Sequence, residues 1–245
     1  MSIRPHTAML LAAGHGTRMR PLTEATPKPL LPLGGRPLID HALERLAQAG
    51  VATVVVNAHW RAERVEAHLA ARSARQPHTI LRREAALLET GGGVKAALDL
   101  LGPAPFFVVN GDAFWLDGPR PALDRLAAAF DPVEVDAVLL VHRTFEVRAE
   151  VGMGDFAVDQ WGGVRRRRER EVVPYIYAGL QLIAPALLDG TPDGAFSMNL
   201  AWDNALAAGR LRAVVHDGLW FHLSTPADLS EAESILSTRF TGDAR

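Results

Sequence analysis

The apolar positions of the chain fall alternately into short continuous runs and longer stretches with helical spacing. Thr7–Ala13 is a continuous apolar stretch that ends at Gly14, which is typical of a strand buried on both faces of a parallel sheet. Pro37–Gly50 carries its apolar residues on one side at helical spacing, and Val51–Asn57 is a second, β-branched run. The first sixty residues therefore predict a strand, a glycine loop, a helix and a strand.

The same alternation continues to the end of the chain. The remaining predicted helices are Ala62–Ala74, Gly92–Leu101, Pro121–Phe130, Phe196–Ala208 and Pro226–Leu236. The remaining predicted strands are His78–Arg82, Phe106–Asn110, Asp136–His142, Tyr175–Ile183, Leu211–His216 and Leu219–Leu223, with a hairpin over Gly152–Glu171. Alternating strands and helices with short connections indicate an α/β fold with a doubly wound sheet, in which ligands bind beyond the carboxyl ends of the strands.

Composition narrows the class of protein. A chain of 245 residues with 48% hydrophobic and 22% charged content can bury one large core. The net charge of −2 provides no general attraction to nucleic acid or to an anionic membrane, so a bound phosphate must be recognised locally. The absence of cysteine excludes disulfides, thiolate nucleophiles and cysteine zinc sites. The first apolar run is too short for a signal sequence or a membrane span, so we expect a cytoplasmic enzyme.

The segment Leu11–Leu31 concentrates residues that suit an anion. Glycines after a buried strand let backbone amides approach a phosphate, while Thr17, Arg18 and Lys28 supply a hydroxyl and two cations. The segment lacks the GxxxxGK[ST] pattern of a P-loop, and Met19 stands where the third glycine of a dinucleotide-binding GxGxxG belongs. The pattern favours a triphosphate-binding loop of another kind.

The run GHGTRMRPLT followed by PKPL resembles the sugar-1-phosphate nucleotidyltransferases, which join a sugar 1-phosphate to a nucleoside triphosphate and release pyrophosphate. The resemblance extends over nearly the whole chain. It implies a Rossmann-like, GT-A-like nucleotidyltransferase fold with a mixed, mostly parallel sheet. It further implies one domain over residues 1–240, with the nucleotide bound by about 1–130 and the sugar by about 131–240, while 241–245 are expected to be a frayed tail.

The same resemblance assigns the nucleotide site. Arg18 is expected to hold the β- and γ-phosphates, and Lys28 the sugar phosphate near the α-phosphate. The segment LETGGG resembles the part of the family that reads the base. Asn57 lies at the end of a strand on the ligand side, and for its segment a packing role is an equally open alternative to a role in the site. The full expected nucleotide-binding set is Leu11, Ala12, Ala13, Gly14, Gly16, Thr17, Arg18, Asn57, Glu89, Thr90 and Gly91.

Two further motifs point to a metal ion. Asp112 follows an apolar strand and a glycine, and a carboxylate in such a place suits Mg²⁺, which takes oxygen ligands shared with phosphates. The resemblance makes Asp112 a metal ligand, and it makes Arg18, Lys28 and Asp112 the catalytic residues. The late segment WFHLSTP departs from the family pattern W-x-D-x-G-T-P, with His222 and Ser224 in place of aspartate and glycine. His222 is either a ligand, in which case Mn²⁺ is the alternative ion, or only a neighbour of the metal.

The sugar side is read from later segments. The resemblance assigns sugar binding to Lys28, Asn110, Gly179 and Asn199. The family's Glu-Lys-Pro, which supplies a second lysine, is replaced by the run Arg165–Glu171. Strand alternation would direct some of these arginines into the cleft, and a solvated face is the alternative.

The substrates follow only from the resemblance. The short members with LETGGG that use N-acetylmuramate 1-phosphate and UTP in peptidoglycan recycling are the most similar. Mannose 1-phosphate guanylyl transfer and glucose 1-phosphate thymidylyl or uridylyl transfer are the alternatives. A non-catalytic binding homologue is a further one, because His222 and Ser224 depart from the family pattern. We expect small-molecule substrates, no nucleic acid and no membrane, and a monomer or a homodimer.

Overall fold

A computed structural model of the protein describes residues 3–72, 75–147, 149 and 151–240. The strands in this part of the chain are β1 Thr7–Leu11, β2 Pro32–Leu33, β3 Arg36–Pro37, β4 Thr53–Ala58, β5 His78–Arg83, β6 Phe106–Asn110, β7 Phe114–Leu116, β8 Ala137–Arg143, β9 Phe156–Val158, β10 Val164–Arg166, β11 Tyr175–Ile183, β12 Leu211–Val215 and β13 Leu219–Phe221. The helices are α1 Leu38–Gln48, α2 Ala62–Ala71, α3 Glu89–Ala96, α4 Leu98–Leu101, α5 Ala122–Ala129, α6 Met198–Ala207 and α7 Pro226–Phe240.

The central sheet has a parallel part and an antiparallel part. Strands β6, β1, β4 and β5 lie side by side and parallel, in that order. The long strand β11 runs antiparallel to β6, β9 and β8, and β12 then pairs with β8 in parallel. The predicted α/β fold with a mixed, mostly parallel sheet is confirmed. The carboxyl ends of β1, β4 and β6 meet at one edge.

Burial on both faces of the sheet explains the continuous apolar runs. In β1, Ala8 and Leu10 are fully buried in the cluster that contains Leu43 of α1. Met9 lies on the opposite face, in the cluster that contains Val94 of α3 and Ala201 of α6. Successive side chains of a strand point to opposite faces, so a strand covered by helices on both sides needs apolar residues at every position.

The predicted elements agree with the structure to within a few residues, with informative exceptions. The short pairs β2–β3 and β7–β13 include strands that the apolar pattern missed, since two or three residues carry no measurable periodicity. Helix α3 begins at Glu89, three residues before the predicted start, and the helix is interrupted at Ala97. Helix α7 continues to Phe240, and the expected frayed tail lies outside the described residues.

The early start of α3 has a packing cause. Glycine disfavours helix by about 1 kcal/mol relative to alanine, so the sequence predicts that the helix begins only after Gly91. In the structure Gly91 and Gly92 donate backbone hydrogen bonds to the carbonyl oxygen of Phe196. A Cβ on Gly92 would lie 2.0 Å from the carbonyl oxygen of Gly194. The glycines therefore allow α3 to pack directly on the 194–196 backbone.

Membrane insertion by a helix has no support in the described ranges. None of the helices described between residues 3 and 240 is both long and apolar enough to cross a bilayer.

Candidate active site

Three neighbouring cavities that share lining residues lie beyond the carboxyl ends of the parallel strands. The main chamber has a volume of about 470 Å³ and is lined by the residues that follow β1 and β6. A second cavity of about 150 Å³, the His222 chamber, lies between β11 and the segment after β13. A third cavity of about 300 Å³, the Arg166 chamber, lies between the β9–β10 hairpin and α6. Asn110 lines all three, so it marks their junction.

The structure brings most of the predicted site residues to these cavities. The main chamber contains the following predicted residues: Leu11, Ala12, Ala13, Gly14, Gly16, Thr17, Arg18, Lys28, Asn57, Glu89, Thr90, Asn110 and Asp112. Gly179 and His222 line the His222 chamber, and Asn199 lines the Arg166 chamber. Gly91 lines none of the three, because it is buried against Phe196, whose Cε2 would lie 2.3 Å from a Cβ at that position.

The glycine loop is held by contacts at both of its ends. Gly16 has a φ of +61°, in the left-handed region, and its carbonyl oxygen accepts a hydrogen bond of 2.8 Å from Oγ1 of Thr23. Met19 is fully buried in a cluster with Phe114, Leu223 and residues of α7. The residue that stands in place of a dinucleotide-binding glycine is thus the apolar anchor of the loop.

Asn57 fixes the loop from the opposite side. Its Oδ1 accepts a hydrogen bond of 2.8 Å from the backbone N–H of Ala12, and its Nδ2 donates one of 2.7 Å to Oε1 of Glu84. Oε2 of Glu84 in turn accepts from the N–H of Leu88, just before α3. The sequence missed Glu84, although a carboxylate directly after a parallel strand is the signal that identified Asp112. The buried Asn57–Glu84 pair thus joins the glycine loop to the start of α3.

Replacing Asn57 with alanine would remove this bridge. We expect a loss of about 1–3 kcal/mol in the free energy of unfolding, because the N–H of Ala12 and the Glu84 carboxylate lose a buried partner. The KM for the nucleotide should rise as the loop loosens. Denaturant unfolding and steady-state kinetics measure both effects. The exposed Asn204 supplies the matched control, Asn204→Ala. Unchanged stability and an unchanged KM in Asn57→Ala would contradict the bridging role.

Lys28 and Asp112 form the charged centre of the main chamber. Nζ of Lys28 lies 2.5 Å from Oδ2 of Asp112, with the side chains 12% and 36% exposed. Gly111 packs Asp112 closely against the end of β1, since its N–H donates to the carbonyl oxygen of Leu11 and a Cβ there would lie 2.7 Å from that oxygen. Oδ1 of Asp112 has no hydrogen-bond partner among the described residues. One carboxylate oxygen is thus available to a ligand.

His222 belongs to the same electrostatic environment. Burial lowers the pKa of its imidazole, and the nearby charges of Arg18 and Lys28 lower it further against the opposing effect of Asp228 and Asp112. The ring is therefore neutral at neutral pH. Within the ranges that the structure describes, no group of three or more histidine, aspartate and glutamate side chains is placed to hold a metal ion. An ion here would need ligands from a substrate or from water.

Strand β11 leaves room beside Asn110. Gly179 has a φ of +82°, at an irregularity in the β11–β8 pairing, and a Cβ there would lie 3.2 Å from Cβ of Ala113. The hydroxyl of Tyr177 is buried, and burial raises its pKa. A larger residue at 179 would narrow the His222 chamber.

The arginine run divides between surface and cleft. Arg165 makes two hydrogen bonds of 2.7 Å with the half-buried Glu171, and these lower the pKa of that carboxyl to about 2. Arg166 lines the third chamber and bonds to Asn199 and Asp203. Strand alternation therefore directs one arginine of β10 into the cleft, and the solvated-face interpretation fits Arg165.

A sheet edge with a glycine loop, two cations and a carboxylate around one cavity suits the binding of a nucleotide's phosphates, the first requirement of a nucleotide-dependent transferase. Residues 8–147 match the family model described as the MobA-like NTP transferase domain, and the chain belongs to that family. The protein is a nucleotidyltransferase.

Curated relatives and solved structures agree with this assignment. The chain is 43% identical to the N-acetylmuramate alpha-1-phosphate uridylyltransferase of Caulobacter vibrioides, over 97% of this chain and 99% of the relative. It is 35% identical to the enzyme of the same name from Neisseria meningitidis serogroup B, over 93% and 97%. A UDP-glucose pyrophosphorylase complexed with UDP-glucose has the same fold, with a TM-score of 0.78, 17% identity and coverage of 95% and 98%. The resemblance to sugar-1-phosphate nucleotidyltransferases is confirmed.

Proposed function

We propose that the protein joins N-acetylmuramate 1-phosphate to UTP, forming UDP-N-acetylmuramate and pyrophosphate, as a cytoplasmic step in the reuse of cell-wall sugars. The observation that carries the proposal is the convergence of Arg18, Lys28 and Asp112 on one chamber that shares lining residues with two smaller ones. The choice of sugar and base rests on the relative that is 43% identical over 97% of the chain.

The chemistry requires positioning more than acid–base catalysis. An oxygen of the sugar phosphate forms a bond to the α-phosphorus of UTP, and the bond from that phosphorus to the pyrophosphate oxygen breaks. The attacking phosphate is already ionised at neutral pH, so no general base is required. Arg18 neutralises the β- and γ-phosphates, and Lys28 holds the sugar phosphate beside the α-phosphate. Alignment and charge neutralisation generally accelerate such transfers.

The glycine loop would hold the nucleotide by its backbone. Ala12–Gly16 follow β1 at the chamber wall, where N–H groups can meet ribose and phosphates. Glu89 begins α3 with a φ of +59°, and it and Thr90 line the same wall. We assign base recognition to this pair. Gly91 serves it indirectly, because its contact with Phe196 sets the position of α3.

The residues of the chamber fit a Mg²⁺ ion that arrives with the triphosphate. Mg²⁺ in nucleotide sites is commonly bound by one or two carboxylates together with phosphate oxygens and water, and Asp112 offers a carboxylate with one oxygen unpaired among the described residues. When bound, the ion neutralises charge that develops on the phosphates. His222 lines the neighbouring His222 chamber, which Asp112 also lines, and presents a neutral imidazole, a ligand better suited to Mn²⁺.

A substrate panel tests the proposal. UTP, dTTP, GTP and CTP are each combined with the 1-phosphates of N-acetylmuramate, N-acetylglucosamine, mannose and glucose, and pyrophosphate release is measured with Mg²⁺ or Mn²⁺. We expect the highest kcat/KM for UTP with N-acetylmuramate 1-phosphate. A higher value for another pair would overturn the substrate and keep the reaction. Nucleotide binding without pyrophosphate release from any pair would make the protein a binding homologue.

A further inference from the structure

We propose that Arg166 makes the enzyme selective for an acidic sugar by binding the carboxylate that distinguishes N-acetylmuramate from N-acetylglucosamine. The inference rests on the proposed function, since it names the part of the sugar that the site reads. N-acetylmuramate is N-acetylglucosamine with a lactyl ether, so the two 1-phosphates differ in one anionic substituent. A site that separates them needs a cation away from the phosphate.

The Arg166 chamber is suited to the sugar end of the substrate. It shares Leu11, Thr90 and Asn110 with the main chamber, so a ligand can extend from one into the other. Arg18, Lys28 and Asp112 line the main and His222 chambers and do not line this one. Arg166 therefore lies apart from the phosphate-binding cations.

The guanidinium group of Arg166 is held by two aromatic rings and by polar partners on α6. It lies over the rings of Phe156 and Trp202, at 4.9 and 5.7 Å from their centroids. Nε donates to Oδ1 of Asp203 at 2.8 Å, and Nη2 donates to Oδ1 of Asn199 at 2.9 Å. A guanidinium that lies over aromatic rings and is bonded through Nε and Nη2 keeps its remaining donors for a carboxylate, and it loses less side-chain freedom when it binds one.

Donor capacity remains after these contacts. Nη1 of Arg166 has no hydrogen-bond partner among the described residues. Its partner Asp203 is 57% exposed, and an ion pair this open to water stabilises little. The Arg166 side chain itself is only 33% exposed, where a charge-assisted bond to a substrate carboxylate is stronger.

The Arg166 chamber also contains a carboxylate, so the binding of an acidic substituent there requires a cation. Asp155 lines the chamber, and its Oδ2 accepts a hydrogen bond of 2.9 Å from the N–H of Tyr177. A carboxylate there suits sugar hydroxyls and repels an acidic substituent. Arg166 is the one cation among the described residues that line the chamber, so it carries the attraction for an anion.

The test compares Arg166→Gln with Arg168→Gln, an exposed arginine of the same run. With UTP and Mg²⁺, we expect Arg166→Gln to raise the KM for N-acetylmuramate 1-phosphate by about 10- to 100-fold, the usual effect of losing a bond to a charged group. The kcat should change little, and the kcat/KM preference over N-acetylglucosamine 1-phosphate should fall by a similar factor. Arg168→Gln should keep the wild-type preference. Arg166→Lys, which keeps the charge without the planar group, should recover part of it.

Binding of the two UDP-sugars by calorimetry gives a second measurement that needs no turnover. Arg166→Gln should weaken the binding of UDP-N-acetylmuramate, so that its affinity comes closer to that of UDP-N-acetylglucosamine. An equal loss for both sugars would show that Arg166 serves the shared phosphate or the fold, and an unchanged preference would also overturn the inference. Failure of the wild-type enzyme to use N-acetylmuramate 1-phosphate would instead overturn the proposed function, so the two failures are distinguishable.

Discussion

Asparagine at position 112 is expected to lower kcat by about 10³-fold, because the proposed metal ligand contributes several kcal/mol of charge stabilisation in the transition state. Asp112 lies at the end of β6, 2.5 Å from the ammonium of Lys28, and Oδ1 is unpaired among the described residues. The asparagine keeps the shape of the side chain, so the loss should appear in kcat and in the Mg²⁺ dependence more than in folding. Pyrophosphate release across a Mg²⁺ titration measures it.

The matched control is Asp99→Asn, an aspartate whose exposed side chain pairs with Arg82 away from the chambers. It should retain wild-type kcat and the wild-type Mg²⁺ requirement. Asp112→Asn with more than a tenth of the wild-type kcat at ordinary Mg²⁺ would contradict the assignment. In that event His222→Ala in the Asp112→Asn background would show whether the imidazole holds the ion.

Removal of the Lys28 ammonium is the second change with a large expected effect. Lys28→Met should lower kcat by about 10²- to 10³-fold, the range seen when one preorganised donor to a developing charge is removed. The methionine keeps the length and the apolar stem of a side chain that is only 12% exposed. Single-turnover measurement of UDP-sugar formation separates this loss from a loss of substrate binding.

The chain supplies a close control, because Lys95 is its other lysine. Lys95 donates to the carbonyl oxygen of Thr191 at 2.7 Å and pairs with Asp193 at 2.9 Å, outside the lining of the main chamber. Lys95→Met should leave kcat within about twofold, since substitutions away from the reacting groups have small effects. Equal losses in the two variants would remove Lys28 from the proposed mechanism.

The arginine run shows where sequence inference reached its limit. The alternation of side chains along a strand indicated that residues 165 and 166 face opposite ways. It did not indicate which of them enters the cleft. In the structure Arg166 donates hydrogen bonds to Asn199 and Asp203 of α6 inside the cleft, whereas Arg165 donates to Glu171 at the surface. Asn199 and Asp203 lie 33 and 37 residues from Arg166 in the sequence, whereas Glu171 lies 6 residues from Arg165. No local pattern encodes the longer pairings.

The three glycines of α3 illustrate the opposite error. Local propensity predicted that Gly91 precedes the helix, and tertiary packing of Gly91 and Gly92 on Phe196 and Gly194 overrides that preference. The Asn57–Glu84 bridge escaped the sequence for a related reason. Each partner ends a different strand, and only the parallel pairing of β4 and β5 places the two side chains together.

The sequence by itself determined the alternation of buried strands and helices, the glycine loop after the first strand and the cations that serve it. These features are local, because strand and helix periodicity and the conformational freedom of glycine depend on near neighbours. Only the tertiary structure decided that Lys28 meets Asp112, that Asn57 ties the loop to α3, and that Arg166 faces a chamber of its own. Each of those contacts joins segments far apart in the chain, so it depends on sheet register and on the packing of helices across the sheet.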